Sequence, residues 1–352
     1  MPRAEHPPIV DVHAHLFPIG LPDMHAITGD ARWPSLAVGG QDGRIMCGRN
    51  VFRQVRAPLW DRAARIAELD AAGIATQVVS PVPVTLAYWA DTPLAVRFMR
   101  ALNDALAREV AADDRLIGLG AVPLQDVGAA IDELVRIRTD LGLRGAEIGT
   151  VIAGRELDDP QLRPFFGAAQ ELDAVLAIHP MDGGAGVIRR SGQPYDFGIA
   201  MLTDTAMAAT ALVFGGVLDD CPDLRVVLAH GCGSYAWTYP RLRAASQHWG
   251  QGDPARLDEL TRALWVDSLV FDPVHLSVLA HRFGADRIMV GTDHPFVPGE
   301  LTAGPNLVRS AVDGGLLTAA EATAILATNA ARFLGSVAAD PGLPPTVASG
   351  SS

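Results

Sequence analysis

IVDVHAHLFP, residues 9–18, decides how the rest of the chain is read. Ile9, Val10 and Val12 form a short β-prone lead-in, and His13 and His15 stand two apart at its far end. Side chains alternate along a strand, so positions i and i+2 share a face, roughly 7 Å apart. The two imidazoles therefore converge on one point at the mouth of a buried strand, a geometry suited to gripping a cation. Two polar residues leaving a strand would look the same, so the pair gains weight only from matching residues downstream.

Downstream, short apolar runs alternate with helix-patterned segments, which signals parallel βα units. After the opening strand, further strands are predicted over 74–81, 116–123, 144–148, 174–179, 224–230, 264–269 and 287–293. Helices are predicted over 61–73, 93–113, 127–141, 159–173, 203–219, 234–248, 272–283 and 319–334. Eight strands, each followed by a helix, is the count of a (β/α)₈ TIM barrel, whose catalytic residues sit at the carboxyl ends of its strands. A doubly wound sheet would want a glycine fingerprint at its first βα turn, where HAHLFP stands instead. Residues 16–60 break the rhythm, with IMCGRNVFRQV their only strand-like patch, and are expected to form a cap or lid. The glycine-rich stretch 180–196 is a second candidate lid. One barrel domain is expected over 1–337, and the Pro, Gly and Ser composition of 338–352 reads as a disordered tail.

Composition narrows the function. Of 352 residues 49% are apolar, ample for a large core, yet no uninterrupted apolar run approaches the ~18 residues of a membrane span. MPRAEHPP lacks the apolar region of a secretory signal, and three widely spaced cysteines (Cys47, Cys221, Cys232) fit a reducing cytoplasm. A formal charge of −12 with no basic stripe argues against nucleic acid. All 28 basic residues are arginine. Without lysine there is no Schiff-base catalysis, no Walker-type phosphate loop and no carboxylated lysine bridging two metals, so the simplest centre holds a single ion.

The unusual polar residues fall into register with the barrel. His13 and His15 end strand one, His179 ends strand five (AVLAIHP), His230 ends strand six (LRVVLAHG) and Asp293 ends strand eight (RIMVGTDHP). Each alone has an ordinary account, since a histidine before proline closes strands and an aspartate after Gly-Thr caps helices. Five on one rim point to a metal site. His13, His15, His179 and Asp293 would hold the ion, leaving a position for water whose pKa falls towards ~7. Zn²⁺ suits these ligands, as do Mn²⁺, Fe²⁺ and Co²⁺. His230, at an apolar strand end before Gly-Cys-Gly, is placed as the general acid or base, with a fifth ligand as its alternative. Cys232 between glycines is read as packing.

These residues resemble the amidohydrolase superfamily, within it the metal-dependent decarboxylases typified by 2-amino-3-carboxymuconate 6-semialdehyde decarboxylase. The likeness runs through VDVHAHLFP, IMCGRNVFRQVRAPLWD, AVPLQD, AIHP, HGCGSYAW, VDSLVFDP and GTDHPF. The resemblance implies a mononuclear zinc site on His13, His15, His179 and Asp293, with His230 as acid/base. It also implies a homodimer. The family's two carboxylate-binding arginines fall on Arg53 and Arg241, and Arg241 would reach into the neighbouring subunit's site. A guanidinium fork fixes a planar carboxylate well, although a surface ion pair is the ordinary account of either residue. The chain departs from the family pattern where substrate is expected. Arg49 replaces a lysine, Met181 a tryptophan and His294 a tyrosine, so the metal chemistry transfers better than the substrate. The expected function is zinc-dependent, non-oxidative decarboxylation of an unsaturated or aromatic carboxylic acid. The alternative is a metal-dependent hydrolase or hydratase using the same activated water.

Overall fold

The computed structural model describes residues 8–181, 188–297 and 299–335. Strand β1 (Ile9–Leu16) is followed by a short helix α1 (Met24–Thr28) and strands β2 (Pro34–Gly39), β3 (Asp42–Cys47) and β4 (Asn50–Arg56). Helix α2 (Arg62–Ala72) starts where the Asp61 side chain accepts the Ala64 amide and stops at Gly73, φ 71°. Then come β5 (Ile74–Pro81), α3 (Thr92–Val110), β6 (Leu116–Gly118), β7 (Gly120–Ala121), α4 (Val127–Thr139) and β8 (Gly145–Gly149). A small hairpin, β9 (Val151–Ile152) and β10 (Arg155–Glu156), precedes α5 (Arg163–Glu171) and β11 (Val175–His179). The second half carries α6 (Met201–Phe214), α7 (Val217–Asp220), β12 (Arg225–Leu228), α8 (Tyr235–Trp249), α9 (Pro254–Ala263) and β13 (Trp265–Asp267). It ends with α10 (Pro273–Phe283), β14 (Ile288–Met289), α11 (Glu300–Asp313), α12 (Ala319–Thr323) and α13 (Asn329–Leu334).

All barrel pairings are parallel, in two runs, β1-β5-β6 and β7-β8-β11-β12-β13-β14. The expected third strand is split as β6 and β7, and the Leu119 amide between them donates to the Val79 carbonyl at 2.9 Å. The ring closes between β14 and β1 through two isolated bridges, Asp11↔Val290 and Ala14↔His294. The result is the (β/α)₈ barrel expected from the alternation.

The inward side chains Val12, Val78, Leu119, Val175, Val227, Trp265 and Met289 form a separate apolar layer with Phe333 and Leu334 of α13. Phe333 lies 5.3 Å from the Trp265 ring. The last helix thus stoppers the barrel at the amino ends of its strands, leaving the carboxyl ends for chemistry.

Several expectations need correction. Residues 16–60 hold an antiparallel sheet in the order β2-β3-β4 as well as α1, more than the one strand-like patch expected. Helices α9 and α11 were not anticipated. The expected helix 203–219 breaks at Gly215 and Gly216, the latter at φ 80°, where a Cβ on Gly215 would stand 2.2 Å from Asp158 Cβ. That helix continues a π turn from Asp196, and Asp196–Phe214 is long and apolar enough to cross a membrane. Half of it is buried within the protein, as in a core helix. The expected tail 338–352 and part of the second lid, 182–187, lie outside the described residues.

Candidate metal centre

β1 does not simply alternate. Asp11 pairs with Gln77 but Ala14 with Val79, so β1 holds one residue more than β5 over that step. Such a bulge re-aims side chains. Val12 joins the barrel's inner layer while His13 and His15 still bring their Nε2 atoms within 3.3 Å of each other. His179, ending β11, and Asp293, after β14, complete the set. One ligand atom from each of His13, His15, His179 and Asp293 lies within 4.8 Å of the others, and all four residues are buried. Asp293 Oδ1 is 3.1 Å from His15 Nε2 and 3.7 Å from His13 Nε2. Asp293 itself is held at φ 60°, a left-handed conformation rare for a non-glycine.

The outer nitrogens fix which atoms face inward. His13 Nδ1 lies 2.7 Å from Asp267 Oδ2, His15 Nδ1 3.2 Å from the Pro81 carbonyl, and His179 Nδ1 2.7 Å from the Pro180 carbonyl. Each of these partners accepts, so each ring carries its hydrogen on Nδ1 and turns the Nε2 lone pair inward. Among the described residues, buried His179 Nε2 has no hydrogen-bond partner. Three lone pairs and a carboxylate thus face one another, an arrangement that a divalent cation satisfies. The donors suit Zn²⁺ and other first-row metals.

Burial opposes charge on His13, but the hydrogen bond and charge of Asp267 outweigh it and raise the ring to about 9. Burial and the neighbouring His15, His230 and His13 push His179 well below the usual range. Burial works against Asp293 ionising, yet His15 and His13 hold its carboxyl far below the usual range. A metal must displace the His13 proton. At pH 7 we expect release of about one proton per ion bound. Apparent affinity should then rise about tenfold per pH unit and level off once pH passes the His13 value. Calorimetry in buffers of different ionisation enthalpy measures this, and pH-independent binding would contradict it.

Asp267, ending β13, is a residue that sequence reasoning missed. Besides His13 Nδ1 it accepts the amides of His230 (2.8 Å), Gly231 (2.8 Å) and Leu269 (3.0 Å). Burial raises its carboxyl, but the bond to His13 and that ring's charge leave it below the usual range. The signal was present in VDSLVFDP, an aspartate at a strand end. The apolar Leu269 that follows masks it, because it extends the expected strand to 269, whereas β13 ends at Asp267.

HGCG follows β12 with four consecutive left-handed residues, His230 (φ 56°), Gly231 (61°), Cys232 (67°) and Gly233 (58°). The glycines are required by space as well as by φ. A Cβ on Gly231 would come within 2.4 Å of Val270 Cγ1, and one on Gly233 within 2.0 Å of the Leu202 carbonyl oxygen. This coil, anchored by two amides on Asp267, sets the His230 ring 5.3 Å from His13 and 5.0 Å from His179, centroid to centroid. Such strained backbone is characteristic of functional sites. Burial and the adjacent His13 push His230 down to about 4, against Asp267 and Asp293, so it is neutral at pH 7. Its Nδ1 is buried without a hydrogen-bond partner among the described residues. The Cys232 thiol is wholly buried and pushed well above its usual range by burial and Asp267, consistent with a packing role.

Comparison with known proteins agrees with this geometry. The amidohydrolase family matches residues 10–336, nearly the whole chain. The chain belongs to the amidohydrolase family. This amidohydrolase is 34% identical to a 2-amino-3-carboxymuconate-6-semialdehyde decarboxylase from Dictyostelium discoideum, over 93% of this chain and 91% of the relative. It is 30% identical to a gamma-resorcylate decarboxylase from Rhizobium sp., over 73% of this chain and 84% of the relative. Its fold also matches a dihydroxybenzoic acid decarboxylase from Polaromonas sp., solved with bound manganese and 2-nitroresorcinol. That match has a TM-score of 0.71 and 22% identity, covering 93% of this chain and 97% of the other. The sequence-based expectation of a decarboxylase is the class named for these relatives.

The remaining candidates of this amidohydrolase are placed unevenly. The Arg53 guanidinium stacks 4.1 Å over the Phe296 ring, which lies 5.4 Å from the His15 ring, so one aromatic separates that arginine from the centre. Phe296, in GTDHPF, was not singled out from the sequence. Met181 packs beside Gly149 at the end of β8, where an added Cβ would meet its Sδ at 2.3 Å. Arg49 is exposed in the turn between β3 and β4, and Arg241 is exposed on α8. The cluster of their own chain is not brought to either. The His294 ring is fully buried, with Arg65 Nη1 3.2 Å from Nδ1 and Glu68 Oε2 3.0 Å from Nε2. Burial and the guanidinium groups of Arg65 and Arg56 push it down to about 2. Both nitrogens of His294 are thus engaged within the barrel wall, beside the centre.

Proposed function

We propose that this amidohydrolase is a zinc-dependent, non-oxidative decarboxylase acting on an unsaturated or aromatic carboxylic acid. The carrying observation is the set of three inward Nε2 atoms and one carboxylate beside a neutral His230, at the carboxyl ends of the strands. When bound there, a divalent cation supplies Lewis acidity towards a substrate oxygen and towards water. His13, His15, His179 and Asp293 would hold it. The overall change consumes one proton and releases CO₂ with no change of oxidation state. His230, being neutral, takes up a proton within the site and passes it to the carbon that loses CO₂. Asp267 holds the backbone of His230 and the ring of His13 in one geometry, keeping proton donor and cation in fixed relation.

Arg53, resting on Phe296 near His15, is suited to a substrate carboxylate. In a homodimer the exposed Arg241 would supply a second guanidinium to the neighbouring subunit's centre. Met181 shapes the wall beside Gly149, and the exposed Arg49 would join the site only if the β3–β4 turn folds over a bound substrate. The free cysteines are in keeping with a cytoplasmic protein.

The test is CO₂ release by the zinc-loaded protein from a panel of unsaturated and aromatic acids, repeated with manganese, iron and cobalt. Release that stops on chelation and returns with metal is the expected result. No release across the panel, with hydrolysis of an amide or lactone or hydration of an alkene, would replace this reading with the hydrolase or hydratase alternative.

A further inference from the structure

Arg65 lies on the face of α2 that packs against the barrel, where an amphipathic pattern puts apolar residues, and it is fully buried. Among the described residues it forms no ion pair. Its fork is spent on neutral acceptors instead. Nη2 donates to the His15 carbonyl, and Nη1 donates to Gln77 Oε1 at 2.5 Å and faces His294 Nδ1 at 3.2 Å. Burying a guanidinium without a paired carboxylate is costly, so the position calls for a reason.

We propose that Arg65 is a positioning residue of the metal centre. One guanidinium grips the main chain at His15 and, through His294, the segment at Asp293, setting the spacing of two ligands across the seam where the barrel closes.

That seam is otherwise thin. It has two isolated bridges, and four amide hydrogen bonds cross it. Val12 donates to Val290 (2.8 Å), His15 to His294 (2.8 Å), and Thr292 (3.2 Å) and Asp293 (2.9 Å) both donate to His13. Side chains continue what Arg65 begins. Gln77 Nε2 donates to Asp11 Oδ2 at 2.7 Å, and the Thr292 hydroxyl donates to the same oxygen at 2.6 Å. Asp11 in turn accepts the His13 amide at 3.2 Å. On the outer side, His294 receives from Arg65 at Nδ1, so its hydrogen is on Nε2 and goes to Glu68, which is also held by Arg56 Nη1 at 2.6 Å. Glu68, His294 and Arg65 thus form a strut from the surface to the ligand carbonyl. A lysine has no planar fork with which to reach both sides at once.

The inference rests on the metal reading above, and its test separates the two. Arg65→Met, Arg65→Lys and Glu68→Ala are loaded with Co²⁺. Affinity is measured by chelator competition and ligand geometry by the visible absorption bands. Affinity should fall about 10–100-fold in Arg65→Met with shifted bands, as for other groups that orient metal ligands. Arg65→Lys should fall in between, and Glu68→Ala should shift the same way by less. Glu68 is partly exposed, so that variant decides the matter if Arg65→Met does not fold. Wild-type affinity and bands in folded Arg65→Met, or in Glu68→Ala where it is the one that folds, would overturn the role of Arg65. Absence of Co²⁺ binding by the wild type would instead overturn the metal centre itself.

Discussion

His230→Ala lowers turnover by about 10²–10⁴-fold and leaves the metal content of the folded protein at the wild-type level. The basis is the separation of roles within one cluster. His230 lies 5.0 Å from His179 and 5.3 Å from His13 between ring centroids, yet the four groups that converge within 4.8 Å do not include it. Among the described residues its ring nitrogen Nδ1 has no partner, so the ring adds no hydrogen bond to that part of the fold through this atom. The fold uses its amide, which Asp267 accepts, and alanine keeps that amide. Steady-state CO₂ release together with elemental analysis checks this. Loss of metal along with activity would make His230 a fifth ligand, and unchanged turnover would remove it from the chemistry.

Asp267→Ala has a broader effect. One buried carboxylate accepts from the His13 ring and from three amides, so its removal strands four donors at once. Leaving a buried partner unpaired costs about 3–5 kcal/mol in stability. Losing the group that orients His13 should weaken metal binding about 10–100-fold. Asp267→Asn keeps most of the shape but loses the charge. The His13 ring, held up near 9 by that carboxylate, should then fall, and the pH dependence of metal binding should shift to lower pH with it. Denaturant midpoints with and without metal, and proton release on binding, give separate readings. A stable Asp267→Ala protein with wild-type metal affinity would show that the strand-seven carboxylate is idle.

Much of the barrel was legible because its signals are local. Asp61 and Gly73 bracket α2 as the sequence indicates, and apolar runs mark most of the parallel strands. Where the reading failed, the local signal was weak or contradictory. Pro305 and Gly304 inside α11 look like helix breakers, yet Gly304 packs against Gly291 and Thr292 of the eighth-strand segment, where a larger residue would crowd the wall. Helix α9 does carry a signal, Asp253 capping before Pro254, but a second helix between two strands departs from the simple alternation. The β2-β3-β4 sheet was obscured by Gly39, Gly40 and Gly48 at its turns.

The convergence of His13, His15, His179 and Asp293 could be read because such side chains are rare at strand ends. Their supports could not. Asp267 looks like any strand-end acid, Phe296 like any apolar loop residue, and Arg65 like a charge on an exposed helix. Each gets its role from distant partners, and no spacing in the sequence announces that Arg65 meets the carbonyl of His15. His294 is similar. Its place beside Asp293 suggests a substrate contact, but nothing local announces its partners Glu68 and Arg65, far off in sequence.

The stopper of the barrel bears on how the protein is made. Phe333 seals the floor against Trp265, and Arg144 and Arg225, at the starts of β8 and β12, reach the carbonyls of Leu334 and Phe333. These clasps belong to α13, so the cylinder stays unsealed until the ribosome has delivered the chain as far as Leu334. Ions are therefore expected to bind tightly only once α13 has been made, and a chain cut short before residue 329, though it keeps His13, His15, His179 and Asp293, should hold metal more weakly.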